Sequence, residues 1–307
     1  MRTILVTGAS GFAGSHLLDR LRGTGDIVGW SRSRPAREDG VRWQEVDVRD
    51  GAAVRAALRE LRPDRIYHCA GVAHVSESWG SPTAPLAVNA LGTHHLLDGL
   101  RRHGRGCRVL VTGSATVYAA SPSPLTEDSP LRPDSPYGTS KLAQELLALR
   151  AAAEDGLDVV VARAFNHTGP RQTPAYMAPG IARQIASIEA GLSEPVIRVG
   201  NLDAERDLTD VRDVVAAYIA LMDAGVSGEV YNVASGVGRA VRDVVETLVD
   251  LSPVPVRIEV DPARVRPIDN PRLVGDSSKL RQLTGWSPTI PFEQMLLDLL
   301  DSWRATA

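Results

Sequence analysis

Short apolar runs alternate with helical patterns through the first half of the chain. The runs have the length of buried strands, and most are separated by stretches with the spacing of an amphipathic helix. The predicted strands are Thr3–Val6, Asp26–Trp30, Arg42–Val46, Arg65–Cys69, Arg108–Val111 and Asp158–Ala162. Strands that take turns with helices predict an α/β fold, a doubly wound parallel sheet covered on both faces.

A glycine-rich turn follows the first predicted strand and leads into a helical pattern. Residues 7–14 read TGASGFAG. Glycines there let the backbone turn tightly and approach a pyrophosphate, which the free N–H groups at a helix start attract. The spacing G-x-x-G-x-x-G differs from the G-x-G-x-x-G fingerprint, and a turn that binds nothing is the alternative. Its place between the first strand and the first helix favours a Rossmann unit that binds a dinucleotide.

Ligands of such a sheet lie at the carboxyl ends of its strands, where several small or polar residues fall. These residues are Gly8, Ser31, Asp47, Ala70, Ser114 and Asn166. The second strand ends in Ser31 and Arg32, with no acidic residue between Ile27 and Arg37. Ser and Arg suit a 2′-phosphate, so we expect NADP(H), with NAD(H) as the alternative if Arg32 is only a solvated charge.

Asp47 and Val48 follow the third predicted strand. At this position the pair could receive the amino group of the cofactor's adenine. Alternatively, Asp47 caps the helix that begins near Gly51.

One tyrosine and one lysine stand four residues apart at the start of a long helical pattern. Only two of the 34 basic residues are lysines, and one of them, Lys141, follows Tyr137 at this spacing. An ammonium beneath a phenol lowers its pKa and can also donate to a ribose hydroxyl. Ser114 could hold a carbonyl while Tyr137 serves as acid or base. The alternative is an ordinary pair on a helix surface.

These motifs together resemble an extended short-chain dehydrogenase/reductase of the nucleotide-sugar-modifying group. The resemblance covers almost the whole chain. Residues 163–170 (RAFNHTGP) and the stretches VGNLDAERDLTDVRDVVAAY and VGDSSKL are similar to GDP-mannose dehydratases and GDP-4-dehydro-6-deoxy-D-mannose reductases. The resemblance implies a Rossmann domain that binds NADP and comprises residues 1–165 plus about 207–234, with a last strand at Val230–Val233. It also implies a smaller α/β lobe for the nucleotide sugar, about 166–206 plus 235–307.

The resemblance assigns roles to individual residues. The expected catalytic residues are Ser114, Tyr137 and Lys141. The expected cofactor-binding residues are Gly8, Gly11, Phe12, Ala13, Gly14, Ser31, Arg32, Asp47, Val48, Cys69, Ala70, Gly71, Tyr137 and Lys141. The expected substrate-binding residues are His74, Thr116, Asn166, Arg171, Arg206, Arg266 and Asp269. Gln172, beside Arg171, lies in the turn where the resemblance places guanosine contacts.

The family contains dehydratases, epimerases and reductases, so the reaction depends on weaker features. Family dehydratases carry an acidic residue two positions after the Ser or Thr, where this chain has Thr116. This argues against a 4,6-dehydratase. With NADP expected at Ser31 and Arg32, the resemblance implies NADPH-dependent reduction of the C4 keto group of a nucleotide-linked 4-keto-6-deoxyhexose, with GDP favoured. An NAD-dependent nucleotide-sugar 4-epimerase is the main alternative, since Ser-Ala-Thr-Val-Tyr occurs in UDP-hexose 4-epimerases. A non-catalytic NADP-sensing protein is the third.

Composition narrows the partners. The 307 residues carry a net charge of −3 and form no basic stripe, so we expect neither nucleic acid nor a membrane surface as partner. Cys69 and Cys107 suit neither a disulfide framework nor a metal site. The chain begins with a strand and contains no run of 18 apolar residues, so we expect a cytoplasmic enzyme. A homodimer packed through helices, including Lys141–Arg150, is expected unless that face only covers the sheet.

Overall fold

The structure, a computed structural model, describes residues 2–307 except 34, 36–39, 74, 104–105 and 265–269. The strands are β1 (Thr3–Thr7), β2 (Asp26–Ser31), β3 (Arg42–Glu45), β4 (Arg65–His68), β5 (Arg108–Ser114), β6 (Asp158–Ala164), β7 (Asn166–Thr168), β8 (Val196–Val199), β9 (Glu205–Asp210), β10 (Val230–Val233), β11 (Gly238–Ala240), β12 (Arg257–Val260) and β13 (Arg272–Leu273). The helices are α1 (Phe12–Leu21), α2 (Gly51–Leu61), α3 (Val75–Gly80), α4 (Thr83–Pro85), α5 (Gly92–His103), α6 (Pro136–Asp155), α7 (Met177–Glu189), α8 (Val211–Ala224), α9 (Val241–Asp250), α10 (Ser278–Thr284) and α11 (Phe292–Arg304). A π-helical stretch, Leu86–Leu91, joins α4 to α5.

Seven parallel strands form the central sheet, in the order β10-β6-β5-β4-β1-β2-β3. The strand order reverses between β1 and β4. At such a reversal the loops that leave the two strands go to opposite faces, which opens a crevice at their carboxyl ends. The predicted doubly wound parallel sheet is confirmed, and the crevice is where a ligand of this fold is expected.

Alternation along each strand builds one core on each face of the sheet. In β1, Ile4 and Val6 belong to the core beneath α1 and α8, whereas Leu5 belongs to the core beneath α2, α5 and α6. Successive side chains of a strand point to opposite faces, so a strand buried on both sides must be apolar throughout. This explains why these strands appear in the sequence as unbroken apolar runs.

A second unit is built from the chain between β6 and α8 and the chain after β10. In its four-stranded sheet, β9 pairs with β7, β11 and β13, and a separate parallel pair joins β8 to β12. Helices α7, α9 and α11 bury a third core. Strand β9 leads directly into α8, which packs on α1, so the chain re-enters the first unit at Val211.

Helix α6 has start and stop signals that the sequence carries at both ends. The Ser135 hydroxyl accepts from the Gly138 N–H, Pro136 occupies the first turn, and Gly156 ends the helix in the left-handed conformation at φ 66°. The helix is longer than the pattern Tyr137–Arg150 indicates. Strand β5 is also longer than predicted, so Ser114 is its last residue.

Candidate active site

Backbone contacts at the carboxyl ends of β1 and β4 shape the glycine turn. Gly8 has φ +64°, and a Cβ placed there would lie 2.7 Å from the Ala70 backbone. A Cβ at Gly14 would collide with the carbonyl oxygen of Gly8. The turn is thus folded back on itself and pressed against the start of the loop after β4, which only glycines permit at these two positions.

The turn delivers the N-terminus of α1 to the crevice. Gly11 is the N-cap, and no side chain caps the first turn of the helix. Phe12 stacks on His167 of β7, with parallel rings 5.8 Å apart. The first-turn N–H groups therefore lie between the central sheet and the second unit, where the helix dipole favours an anion.

The residues after β2 and β3 also lie at the carboxyl ends of the strands, at the β3 end of the central sheet. Ser31 is buried and its hydroxyl donates to the Ser33 carbonyl, while Arg32 is exposed. The Asp47 carboxylate pairs with Arg49 at 2.6 Å, which lowers the pKa of Asp47. The alternative that Asp47 caps α2 is wrong, because Asp50 accepts from the Ala52 and Ala53 N–H groups.

Three hydroxyl groups meet where β5 ends and α6 begins. The Ser114 and Thr116 hydroxyls are 2.9 Å apart, and Ser114 also hydrogen-bonds to the side chain of Tyr137. Burial raises the pKa of Tyr137, and the hydrogen bond to Ser114 opposes that rise. The net direction is upward, so Tyr137 is a protonated phenol at neutral pH.

Lys141 lies one helical turn beyond Tyr137 and is buried. Its Nζ donates to the Thr112 carbonyl and to Gln144 Oε1, each at 2.8 Å. Burial lowers the pKa of Lys141 to about 8. The sequence suggested that Lys141 would lower the pKa of Tyr137. In the structure the group that lowers it is Ser114.

The loop after β4 lies between the glycine turn and Lys141 of α6. Cys69 and Ala70 are half-buried beside the glycine turn, and burial raises the pKa of the Cys69 thiol to about 12. A Cβ at Gly71 would lie 3.0 Å from Asn89 Oδ1 and 3.7 Å from Lys141 Nζ. Val48 is buried further along the same edge, against Gly92.

A cleft of about 340 Å³ opens in the second unit and includes two of the predicted substrate residues, Asn166 and Arg206. Residues that the sequence analysis gave no role also line it: Tyr176, Met177, Arg198 and Asn201. Tyr176 and Met177 lie at the start of α7, and Arg198 and Asn201 lie in β8 and just after it, in stretches that carry no motif. Burial raises the pKa of Tyr176, and Tyr137 adds to that rise.

Three of the five other predicted substrate residues cannot be placed: His74, Arg266 and Asp269 lie outside the described residues. The fourth, Arg171, has φ 73° and turns toward the first unit, where its guanidinium pairs with Asp19 of α1 at 2.8 Å. Its neighbour Gln172 lines the cleft instead. Thr116, as described above, contacts Ser114.

Two features are absent from the part of the chain that the structure describes. No cluster of three or more His, Cys, Asp or Glu side chains there is arranged to hold a metal ion. None of the helices described combines the length and the apolar character needed to cross a membrane.

Residues 5–299 match the sequence profile of the family described as GDP-mannose 4,6 dehydratase. The chain belongs to that family. It is 36% identical over 305 residues to the GDP-6-deoxy-D-mannose reductase of Pseudomonas aeruginosa, and the alignment covers 98% of this chain and 97% of the relative. It is 30% identical over 315 residues to the UDP-glucose 4-epimerase of Mycolicibacterium smegmatis, which covers 99% of each.

The fold is also similar to a solved structure, that of RMD from Pseudomonas aeruginosa complexed with NADPH. The TM-score is 0.87 at 34% sequence identity, and the match covers 100% of both chains. The resemblance to the extended short-chain dehydrogenases/reductases that act on nucleotide sugars is therefore confirmed, and the chain is an enzyme of that group.

Proposed function

We propose that this enzyme uses NADPH to reduce the C4 keto group of a nucleotide-linked 4-keto-6-deoxyhexose, with GDP as the favoured nucleotide. The observation that carries the proposal is the placement of Ser114, Tyr137 and Lys141 together where β5 ends and α6 begins, at the carboxyl edge of the central sheet. A relative named GDP-6-deoxy-D-mannose reductase, aligned over nearly the whole chain, supports the choice of substrate class.

The residues present fit a dinucleotide. The glycine turn leaves no room for side chains between β1 and β4, and the helix start behind it has no side-chain cap, so a pyrophosphate can accept from its N–H groups. Lys141 can donate to the ribose, and the exposed Arg32 can pair with a 2′-phosphate. The first unit would hold the cofactor, and the second unit the nucleotide sugar.

The state of Tyr137 suits an acid. When bound, NADPH supplies the hydride for the carbonyl carbon. As the carbon–oxygen π pair moves onto oxygen, Tyr137 donates its phenolic proton there, and the product is an alcohol. Ser114 donates a hydrogen bond to the same oxygen, and the ammonium of Lys141 donates to the ribose of the cofactor.

The cleft suits the nucleotide diphosphate. Arg198 and Arg206 come from different segments of the second unit and both line it, with Asn166 at one wall. Guanidinium groups pair with diphosphate oxygens through two parallel hydrogen bonds. Gln172, whose side chain is buried and hydrogen-bonded to Thr168, contributes a fixed amide on the same surface.

Thr116 argues against dehydration. Its hydroxyl is occupied with Ser114 and has no pKa that would let it remove a proton at neutral pH. An epimerase needs no such base, and the relative from Mycolicibacterium smegmatis keeps 4-epimerisation as the second candidate.

One assay separates the candidates. The enzyme is given GDP-4-keto-6-deoxymannose and NADPH, absorbance at the NADPH band is followed, and the sugar product is identified. Stoichiometric NADPH oxidation with a 4-hydroxyl product is the expected result. With UDP-glucose and NAD as a parallel reaction, inversion at C4 without net oxidation would favour the epimerase. Binding of NADPH without turnover of either sugar would favour a sensor.

We also propose a homodimer. The outer face of α6 and the helix start beside it expose Leu146 and Leu91, at 56% and 54% of their surface. Large aliphatic side chains exposed together on neighbouring helices favour association, and a twofold axis would bring the same face of a second copy against them.

A further inference from the structure

A chain of buried polar side chains lies behind Lys141, on the side away from the cleft. Gln144, Thr93 and His68 are each fully buried. Gln144 Nε2 donates to Thr93 Oγ1 at 2.8 Å, and His68 Nε2 lies 2.9 Å from the same oxygen. The chain begins at Lys141 Nζ, which donates to Gln144 Oε1. None of these three side chains has a role in the reaction proposed above.

The donor and acceptor of each hydrogen bond among these side chains can be assigned. The Thr93 hydroxyl donates its one proton to the Asn89 carbonyl at 2.6 Å, so its oxygen can only accept from Gln144 and His68. Gln144 must therefore turn its NH₂ group to Thr93 and its carbonyl oxygen to Lys141. His68 must carry its proton on Nε2, which leaves Nδ1 to accept from the Thr7 hydroxyl at 2.7 Å.

Lys141 has no anionic partner among the residues that the structure describes. The titratable groups that face it are Cys69, His68 and His167 from other elements and Tyr137 from α6 itself. All four are uncharged at neutral pH. Burial raises the pKa of Cys69 to about 12 and that of Tyr137, and lowers the pKa of His68 to about 3 and that of His167.

We propose that Gln144 is a positioning residue that holds the ammonium of Lys141 through a carbonyl oriented by Thr93. Two of the three N–H donors of Lys141 are then fixed on Thr112 and Gln144. The third N–H donor is left for the side of Gly71, which has no side chain. A Cβ at Gly71 would lie 3.7 Å from Lys141 Nζ. A neutral acceptor stabilises the ammonium without neutralising it, as a carboxylate would. The effect of Gln144 on the reaction rests on the proposed function, whereas its effect on the position and pKa of Lys141 does not.

The small number of lysines allows a direct test. Only Lys141 and Lys279 are present, so the protein labelled with ¹³Cε-lysine gives two signals, and Lys279→Arg assigns them. Titration should give Lys141 a pKa near 8. Gln144→Met removes the acceptor and should lower that pKa by about one unit, whereas Gln144→Glu places a carboxylate there and should raise it.

The opposite signs distinguish positioning from a structural role. Both variants lose the amide that donates to Thr93, so a purely structural effect would move the pKa in the same direction in both. Shifts of equal sign, or none, would overturn the proposal. If Gln144→Met does not fold, Thr93→Val frees the amide to rotate and should also lower the pKa. Gln282→Met makes the same change on an exposed helix surface and should leave the titration unchanged.

A second pair of measurements connects the titration to the ligand. NADPH affinity, followed by fluorescence, should fall several-fold in Gln144→Met at pH 7.5. The alkaline limb of the kcat profile should move to lower pH in Gln144→Met and to higher pH in Gln144→Glu. If wild-type enzyme turns over neither substrate, the proposed function fails while the lysine titration still decides the inference. If the wild-type enzyme is active and the alkaline limb of the kcat profile moves in neither variant, the inference about Gln144 fails while the proposed function stands.

Discussion

Burial affects the pKa of Tyr137 more than its sequence neighbours do. The pattern Tyr-x-x-x-Lys suggested a phenol with a lowered pKa. In the structure burial raises the pKa and only Ser114 opposes it. A phenol that is protonated at neutral pH is the form that donates a proton during reduction, and burial keeps Tyr137 in that form to higher pH.

Tyr137→Phe tests this role of the hydroxyl. We expect kcat to fall by about 10²–10⁴, because the developing alkoxide loses its proton donor, while NADPH affinity stays within about twofold. Steady-state kinetics and fluorescence titration measure the two quantities. Tyr231→Phe, on the edge strand β10, removes a hydroxyl that bonds to Val226 and should leave kcat unchanged. Near-normal reduction by Tyr137→Phe would refute the assignment.

Arg32 is the residue proposed to choose between the two nicotinamide cofactors. It is exposed at the end of β2, so its side chain is available to a 2′-phosphate. Arg32→Glu should raise KM for NADPH by about tenfold or more and change KM for NADH little, because a paired charge becomes a repelling one. The exposed Arg59→Glu on α2 serves as control. An equal change with both cofactors would remove Arg32 from the 2′-phosphate site.

Helix α6 carries much of the site on one face. Tyr137, Lys141 and Gln144 are spaced so that they share a face of the helix, and Glu145 of the same face reaches Arg163 of β6. The Glu145–Arg163 pair is almost fully buried, with two hydrogen bonds of 2.6 and 2.8 Å. Arg163 also donates to Tyr118 at 2.7 Å. The pair fixes the helix against the sheet at the level of the site.

Glu145→Gln leaves that guanidinium buried without an anion. We expect the free energy of unfolding to fall by roughly 3–5 kcal/mol, the usual result of removing one partner of a buried pair. Urea denaturation followed by circular dichroism measures it. Glu154→Gln, on the same helix, breaks an exposed pair with Arg150 and should change stability little. Equal losses in the two variants would mean that burial of the first pair has no energetic consequence.

At the scale of the whole molecule, the site lies between the two units of the chain. The glycine turn, the end of β5 and the start of α6 come from the central sheet, and the cleft comes from the second unit. The stack of Phe12 on His167 joins them. Since β9 runs directly into α8, the cleft is covalently tied to the helix that packs on α1.

Leu146→Arg tests the proposed homodimer. A charge in the middle of an apolar interface should convert the dimer to a monomer, because its desolvation is not compensated. Size-exclusion chromatography with light scattering measures the mass. Leu192→Arg places the same charge at another exposed leucine, in the turn after α7, and should leave the mass unchanged. A wild-type monomer would contradict the proposal directly.

Local signals determined the first unit almost completely. Its inner strands are buried on both sides and therefore visible as apolar runs, and the glycine turn, Ser135, Pro136 and Gly156 act on their own neighbours. The second unit gave no such signal, because its strands are short and half-buried and their pairing depends on residues far apart in sequence. Arg171 shows the same limit: its motif pointed to the substrate, but its backbone conformation turns it to Asp19.

The sequence by itself determined the sheet, the cofactor turn and the order of Ser114, Tyr137 and Lys141, since each depends on periodicity or on contacts within a few residues. Only the tertiary structure decided what surrounds them. The burial that raises the pKa of Tyr137, the Thr93 hydroxyl that accepts from Gln144 and the arginines that line the cleft depend on segments far from α6 in sequence. Desolvation and long-range packing are properties of the folded whole, and no local pattern encodes them.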